Sequence, residues 1–79
     1  MRATVSVRPK PAILDPQGEA VRGSLQHLGF DVTETRVGRL VELELAATNA
    51  EAARQEVERM CVQLLANPLI ETFEIEIVP

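Results

Sequence analysis

A chain of 79 residues makes one domain, residues 1–79, and buries only about 60–65% of the surface its unfolded form exposes. Its 46% hydrophobic and 25% charged residues exclude a disordered chain, which lacks this much apolar content. Twelve acidic and eight basic residues give a net charge of −4, which argues against a nucleic-acid partner because phosphate binding needs clustered Lys and Arg.

Targeting signals and membrane segments are not predicted. No run approaches the ~20 apolar residues of a membrane helix, and residues 1–15 lack the apolar stretch of a secretory signal. The single cysteine, Cys61, cannot form an internal disulfide. We therefore expect a cytoplasmic protein without a membrane partner. Because its core is small, we also expect it to oligomerise.

The chain opens with an alternating segment, residues 2–8. Apolar side chains occupy every second position, at Ala3, Val5 and Val7, and polar ones lie between them. This period of two predicts a half-buried strand. Pro9 and Pro11 end it, because proline lacks the N–H that a strand ladder needs.

A first helix is predicted to begin at Asp15-Pro16, since Asp caps free N–H groups and Pro suits the first helical position. Gly29 is a natural stop. The apolar stripe along this helix consists of Val21, Leu25 and Leu28. Gly18 and Gly23 weaken the helix by up to ~1 kcal/mol each relative to Ala, which suggests close backbone packing as their reason.

Residues 30–46 read as a β-hairpin with a type II′ turn at Gly38-Arg39. In that register Arg36 faces Val41 and Glu34 faces Leu43. The face that should cover the core therefore becomes polar towards the tip. We interpret the hairpin as projecting beyond its own helices to meet another surface.

The second helix is predicted over residues 50–66, with a Thr48-x-x-Glu51 capping box at its start. Asn67-Pro68 ends it, because the residue before proline avoids the helical region. The last strand spans residues 69–78. Its inward side chains are Phe73, Ile75 and Ile77, and the glutamates between them point outwards.

The element order βαββαβ predicts an α+β, ferredoxin-like fold. Right-handed βαβ crossovers place two helices on one face of a four-stranded antiparallel sheet. Because this arrangement serves many functions, it selects none of them.

No catalytic, cofactor-binding or metal-binding set is visible. His27 is a lone histidine near a helix end, whereas a zinc site needs three or four ligands. Cys61 is typical of a buried packing thiol, and the glycines form no nucleotide-binding loop. Lys10, the only lysine, suits either a plain surface or the steering of a phosphate or an acidic partner. The sequence leaves open whether the isolated chain has enzymatic activity.

Three segments, residues 10–21, 36–43 and 60–71, together resemble the PurS family, the small subunit of phosphoribosylformylglycinamidine (FGAM) synthase. Their motifs are Leu-Asp-Pro-Gln-Gly, Arg-Val-Gly-Arg and Leu-Leu-Ala-Asn-Pro, in the family's order and spacing. The resemblance spans nearly the whole chain. Where the family often has Lys after the glycine of the second segment, this chain has Arg39, which keeps the charge.

The resemblance implies a non-catalytic accessory subunit of an ATP-dependent, glutamine-hydrolysing ligase of purine biosynthesis. A synthetase subunit uses ATP and Mg²⁺ to convert FGAR to FGAM, and a glutaminase subunit supplies ammonia. The PurS-type chain itself binds no cofactor. It forms a homodimer, or a tetramer, that bridges the other two subunits and supports ammonia transfer. We expect Arg36, Gly38, Arg39 and Glu42 to be the interface residues.

Two other functions stay open on the residues alone. A dimeric ferredoxin-like module that binds a small molecule between subunits is the alternative to an accessory subunit. A small phosphatase on this fold is less compatible, because Pro9 and Pro11 remove two N–H groups that a phosphate cradle would use.

Overall fold

The computed structural model describes residues 1–79 and confirms the α+β class. In chain order the elements are β1 (Arg2–Pro9), α1 (Pro16–His27), β2 (Arg39–Glu44), α2 (Ala50–Met60), a π-helical turn (Cys61–Leu65) and β3 (Glu71–Val78). None of the helices has the length and apolar character that crossing a membrane requires.

The first strand lies at the centre of the sheet. The strand order is β2-β1-β3, and both pairings are antiparallel. Residues directly opposite one another point to the same face, so Val5 stands in one row with Val41 and Ile75. The alternation predicted for this strand is confirmed, because Ala3, Val5 and Val7 are all fully buried. We call their side of the sheet the inner face.

Helix α2 covers part of the inner face, where it packs over β3 and β1. Its Val57 and Cys61 of the following π turn are fully buried there, and no fully buried side chain is larger than valine. The part of the inner face that belongs to β2 is less well covered, and its apolar side chains are half-buried. These side chains are Val41 and Leu43 of β2 and Leu45 directly after it.

The boundaries of α2 differ from the prediction at both ends. The prediction of a Thr48 capping box is wrong, because the N-cap is Asn49. The Asn49 side-chain oxygen accepts hydrogen bonds from the N–H groups of Glu51 (2.9 Å) and Ala52 (3.1 Å). At the other end the helix widens into the π turn, which the Ala66 N–H closes by donating to the Cys61 carbonyl at 3.0 Å. The predicted stop before Pro68 is confirmed.

Helix α1 begins and ends as predicted. Asp15 caps its first turn, with Pro16 at the first helical position. Gly29 takes a positive φ of 96°, and its N–H donates to the Gln26 carbonyl while that of Phe30 donates to the Leu25 carbonyl. These two bonds form a Schellman motif, in which glycine is favoured at the left-handed position.

The chain from residue 11 to residue 38, which we call the arm, leaves the body of the molecule. The radius of gyration is 15.7 Å, against about 12 Å for a compact chain of this length. Gly18 is the only buried residue of α1, and α1 has almost no contact with the strands. The prediction of two helices on one face of the sheet is therefore wrong for the single chain.

The predicted hairpin is also wrong, and with it the four-stranded sheet. Residues 30–38 form no strand, and β2 pairs with β1 instead. Gly38 lacks the positive φ that a type II′ turn needs at this position. In the structure residues 30–38 belong to the arm and have no ladder partner.

Candidate functional site

The arm joins the body at a polar junction formed by Asp15, Arg36, Gly38, Arg39 and Glu71. The three segments that resemble the PurS family meet here, although they are far apart in the sequence. The Lys10 N–H donates to the Ile70 carbonyl at 2.8 Å, which ties the first segment to the third. The middle segment lies between them through the contacts of its two arginines.

Asp15 connects the outgoing and returning chains of the arm. One carboxylate oxygen accepts a hydrogen bond from the Val37 N–H at 2.8 Å. The other accepts from the Gly18 N–H at 3.0 Å. These two bonds, with the nearby charge of Arg36, lower the pKa of the Asp15 carboxyl below its ordinary value of 3.8. The residue predicted as a helix cap thus also holds the second leg of the arm.

Arg36 makes a second connection between the same two legs. Its guanidinium donates to the carbonyl oxygens of Lys10 (2.7 Å) and Ile13 (3.0 Å). Both acceptors are neutral, and none of the four ion pairs in the chain includes Arg36. Main-chain carbonyls therefore fix the position of Arg36, and its charge acts on the nearby Asp15 carboxyl without forming an ion pair with it.

Gly38 is required by a close approach rather than by a turn. A Cβ atom at this position would collide with the carbonyl oxygen of Val7 on β1. Any larger residue must therefore push the chain away from the sheet, just before β2 begins. Glycine is required at position 18 for a similar reason, because a Cβ atom on Gly18 would collide with the carbonyl oxygen of Thr35. The close packing suggested for Gly18 is thus confirmed, whereas Gly23 faces open space.

Arg39 and Glu71 close the open end of the inner face. The guanidinium binds both carboxylate oxygens, at 2.7 and 3.0 Å, and also donates to the Leu65 carbonyl. The Glu71 side chain is only 17% exposed. The Arg39 hydrogen bonds, followed by one from the Asn67 N–H, lower the pKa of Glu71 below its ordinary value of 4.5.

Three of the four expected interface residues, Arg36, Gly38 and Arg39, lie together at the junction. Glu42 does not join them: it is exposed on the outer face of the sheet, opposite Thr4 of β1. Sequence reasoning missed Glu71 as a junction residue. It also missed the second role of Asp15, which holds the returning leg of the arm through Val37. The signal for Glu71 is its position two residues before Phe73, which places an acid on the inner face, where it needs a cation.

The remaining reactive side chains do not gather into a site. No three or more His, Cys, Asp or Glu residues lie close enough to hold a metal ion. Burial raises the pKa of the Cys61 thiol, and the negative charge of Glu58 adds to the effect. His27 lies alone in the last turn of α1.

Comparison with known proteins agrees with the segments that meet at the junction. A model of the family described as PurS, phosphoribosylformylglycinamidine (FGAM) synthase, matches residues 2–79. The phosphoribosylformylglycinamidine synthase subunit PurS of Synechocystis is 46% identical over 69 residues, which cover 86% of this chain and 69% of that protein.

Solved structures agree with the whole fold. Bacillus subtilis PurS gives a TM-score of 0.86 at 33% identity, covering 99% of this chain and 98% of that one. A chain of PurLQS from Thermotoga maritima gives a TM-score of 0.87 at 32% identity, covering 95% and 93%. The match over almost the entire length, with these relatives, shows that the chain belongs to the PurS family.

Proposed function

We propose that this chain is the small accessory subunit of FGAM synthase in de novo purine biosynthesis. It bridges a glutaminase subunit and a synthetase subunit and supports the passage of ammonia between them. The observation that carries this proposal is the full-length likeness to a chain of PurLQS from Thermotoga maritima, at a TM-score of 0.87. On this proposal ATP and Mg²⁺ belong to the synthetase subunit, and this chain holds neither.

The mechanism is one of organisation. Ammonia released by the glutaminase must reach the activated FGAR before it escapes or takes up a proton. A subunit that holds the two active sites in register raises the effective concentration of ammonia at the second site without doing chemistry itself. The junction suits this role because Asp15 and Arg36 connect the outgoing and returning chains of the arm and so fix its position.

Self-association is the second part of the proposal, and it has support in the distribution of apolar surface. Leu28 of α1 is 71% exposed, and Phe30 just beyond the helix is 59% exposed. In the same chain the β2 part of the inner face lacks a helix above it. We infer that α1 of a second copy lies over this part of the sheet, so that a ferredoxin-like layer of two helices is completed between two chains.

Self-association is tested by the molar mass in solution. We expect light scattering to give about twice the chain mass of 8.7 kDa, or a higher multiple for a tetramer. Leu28→Glu should shift the mass towards that of one chain. Val62→Glu, at an exposed apolar position on the π turn, serves as the matched control and should leave it unchanged. A wild-type chain that stays monomeric at all concentrations contradicts the second part of the proposal.

The accessory role is tested by FGAM synthesis from purified synthetase and glutaminase subunits, with and without this chain. We expect glutamine-dependent synthesis only when the chain is present. Synthesis from added ammonia should proceed with the synthetase alone, which places the role in coupling. Equal glutamine-dependent rates with and without the chain contradict the bridging mechanism.

The compartment follows from the same proposal. Purine synthesis of this kind is expected in the cytoplasm, where thiols remain reduced. The one cysteine, Cys61, is free and buried, which is compatible with such a compartment.

A further inference from the structure

A groove lined by three arginines lies where the arm reaches the start of β2, and we call it the arginine groove. Arg8, Arg36 and Arg39 line it together with Ser6 and Leu40, and no acidic residue does. Its volume is about 430 Å³, within the ~300–1,000 Å³ of pockets that hold small molecules. In a chain with a net charge of −4, this concentration of positive charge favours an anion.

The three arginines converge because the main chain of Gly38 rests on β1. A Cβ atom at Gly38 would collide with the carbonyl oxygen of Val7, so the returning leg of the arm lies directly against the strand there. Arg8 follows Val7 on β1, whereas Arg36 and Arg39 lie on the two sides of Gly38. Side chains that are far apart in the sequence therefore reach one groove.

Each of these arginines has hydrogen-bond donors that the chain does not use. A guanidinium group carries five N–H donors. Arg8 donates one hydrogen bond, to Glu74. Arg36 donates two, both to main-chain carbonyls, and Arg39 donates three, two of them to Glu71. The remaining N–H groups are available to a ligand.

The positive charge of the groove is only partly offset by carboxylates that lie outside its lining. Asp15 is near Arg36 but forms no ion pair with it. Arg8 pairs with Glu74 at 3.3 Å, and the two side chains are 64% and 76% exposed. Because an exposed pair of this kind contributes little to stability, Arg8 can exchange Glu74 for a ligand.

We propose that the arginine groove binds the phosphate group of a small phosphate monoester. Such a group presents three oxygens and nearly two negative charges, which suit three guanidinium groups better than the two oxygens and single charge of a carboxylate. Leu40 lies opposite Ser6 on the outer face and is 59% exposed, so it offers an apolar wall to the organic part of the ester. The inference goes beyond the accessory role and does not rest on it.

The test is a titration of the full-length chain with ribose 5-phosphate, followed by NMR chemical shifts of the amide and guanidinium N–H groups. We expect shifts at the arginine groove with a Kd on the order of 1 mM. Inorganic phosphate should bind more weakly, because it leaves Leu40 without a contact, and ribose and acetate should cause no shifts there. The proposal is overturned if ribose 5-phosphate causes no shifts up to about 10 mM, or if acetate binds as tightly. Equal affinity for inorganic phosphate overturns the assignment to an ester.

A matched pair of variants locates the binding. Arg8→Gln should weaken ribose 5-phosphate binding about tenfold. Arg2→Gln is the control, because Arg2 is a mostly exposed arginine at the other end of the same strand and also has one carboxylate partner, Glu44. It should bind within about twofold of the wild type. Each variant removes one exposed ion pair, so their melting temperatures should be similar. Equal weakening by both indicates a general effect of charge and contradicts the proposal.

A gain in affinity provides a second test that does not depend on damage to the fold. Glu74→Gln removes the carboxylate that competes for Arg8, and should tighten ribose 5-phosphate binding about two- to fivefold. Glu44→Gln changes the net charge equally and should leave the affinity unchanged, because Glu44 pairs with Arg2. No gain in Glu74→Gln contradicts the role of Arg8. Failure of glutamine-dependent FGAM synthesis to require the chain would leave this inference intact, and absent ribose 5-phosphate binding would leave the accessory role intact.

Discussion

Two glycines of the same helix have opposite surroundings, which allows a matched test of how the arm is built. Gly18 is buried, and a Cβ atom there would collide with the Thr35 carbonyl oxygen and press on the Asp15 carboxylate. Gly23 lies in the middle of the same helix, and nothing approaches within 4 Å of the corresponding position. Replacing each by alanine adds the same methyl group to two different environments.

The expected changes in the free energy of unfolding have opposite signs. Alanine in a helix interior is favoured over glycine by about 0.8–1.0 kcal/mol, so Gly23→Ala should stabilise the chain by about that amount. At Gly18 the gain is offset by overpacking against backbone, which typically costs about 1–3 kcal/mol. Displacing Asp15 also disturbs its hydrogen bond to Val37. We expect Gly18→Ala to lower the free energy of unfolding by about 1–2 kcal/mol.

Urea denaturation followed by circular dichroism measures both changes. All variants must be compared at one chain concentration, because the proposed self-association would add to the apparent stability. In a thermal scan the two variants should differ by roughly 10–20 °C, since their stabilities differ by about 2–3 kcal/mol and 1 kcal/mol shifts the melting temperature of a domain this small by about 4–8 °C.

One result would refute the reasoning. If Gly18→Ala is as stable as Gly23→Ala, the Thr35 carbonyl does not rest on the first turn of α1. The returning leg of the arm then has a different position, and the junction as described is not the constraint that fixes it.

Three further predictions concern the junction and the core. The N–H groups of Val37 and Gly18 lower the pKa of Asp15, and Arg39, followed by Asn67, lowers that of Glu71. The two ionised carboxylates therefore stabilise the fold at pH values above their ordinary pKa values of 3.8 and 4.5. This stabilisation is lost as the pH falls through the lowered pKa values. Urea midpoints from about pH 6 to about pH 3 should therefore fall less steeply for the Asp15→Asn, Glu71→Gln double variant than for the wild type; equal slopes contradict this. Arg39→Lys keeps the charge but loses the two-pronged bond to Glu71, and should cost about 1 kcal/mol in the same assay. Cys61 should react with a thiol reagent roughly a hundredfold more slowly in the native chain than in denaturant, because burial raises its pKa and blocks access.

The local signals of the sequence were enough for most elements. The alternation around Val5 predicted β1, and the inward positions from Phe73 to Ile77 predicted β3, because a half-buried strand must repeat every second residue. Asp15 and Gly29 marked the ends of α1 correctly, since capping depends on residues adjacent to the helix. The cap of α2 was missed by one position because Thr48 and Asn49 are both good caps.

The errors concern relations between distant segments. An alternating pattern indicates an extended chain but does not say which strand it pairs with. Residues 30–38 were therefore assigned to a hairpin that the chain does not form, and Gly38 to its turn. The true constraint on Gly38 is the carbonyl of Val7, more than thirty positions away, which no local pattern reports.

The site was predicted in part for the same reason. Arginines on both sides of a glycine marked residues 36–39 as unusual, and the structure does bring them to the junction. Their acceptors could not be inferred, because they are mostly main-chain carbonyls supplied by folding. Whether Arg36, Gly38, Arg39 and Glu42 contact a partner stays a prediction.

The central position of the first strand has a consequence for how the chain is made. β1 is synthesised first, yet its longest ladder is with β3, where Arg2 lies opposite Val78 at the far end of the chain. Contacts so distant in sequence fold slowly, because a long loop must close before they form. During synthesis β1 therefore has an open edge until β3 has been made and has paired with it. A product that lacks the eight residues of β3 would expose that edge to pairing with other chains.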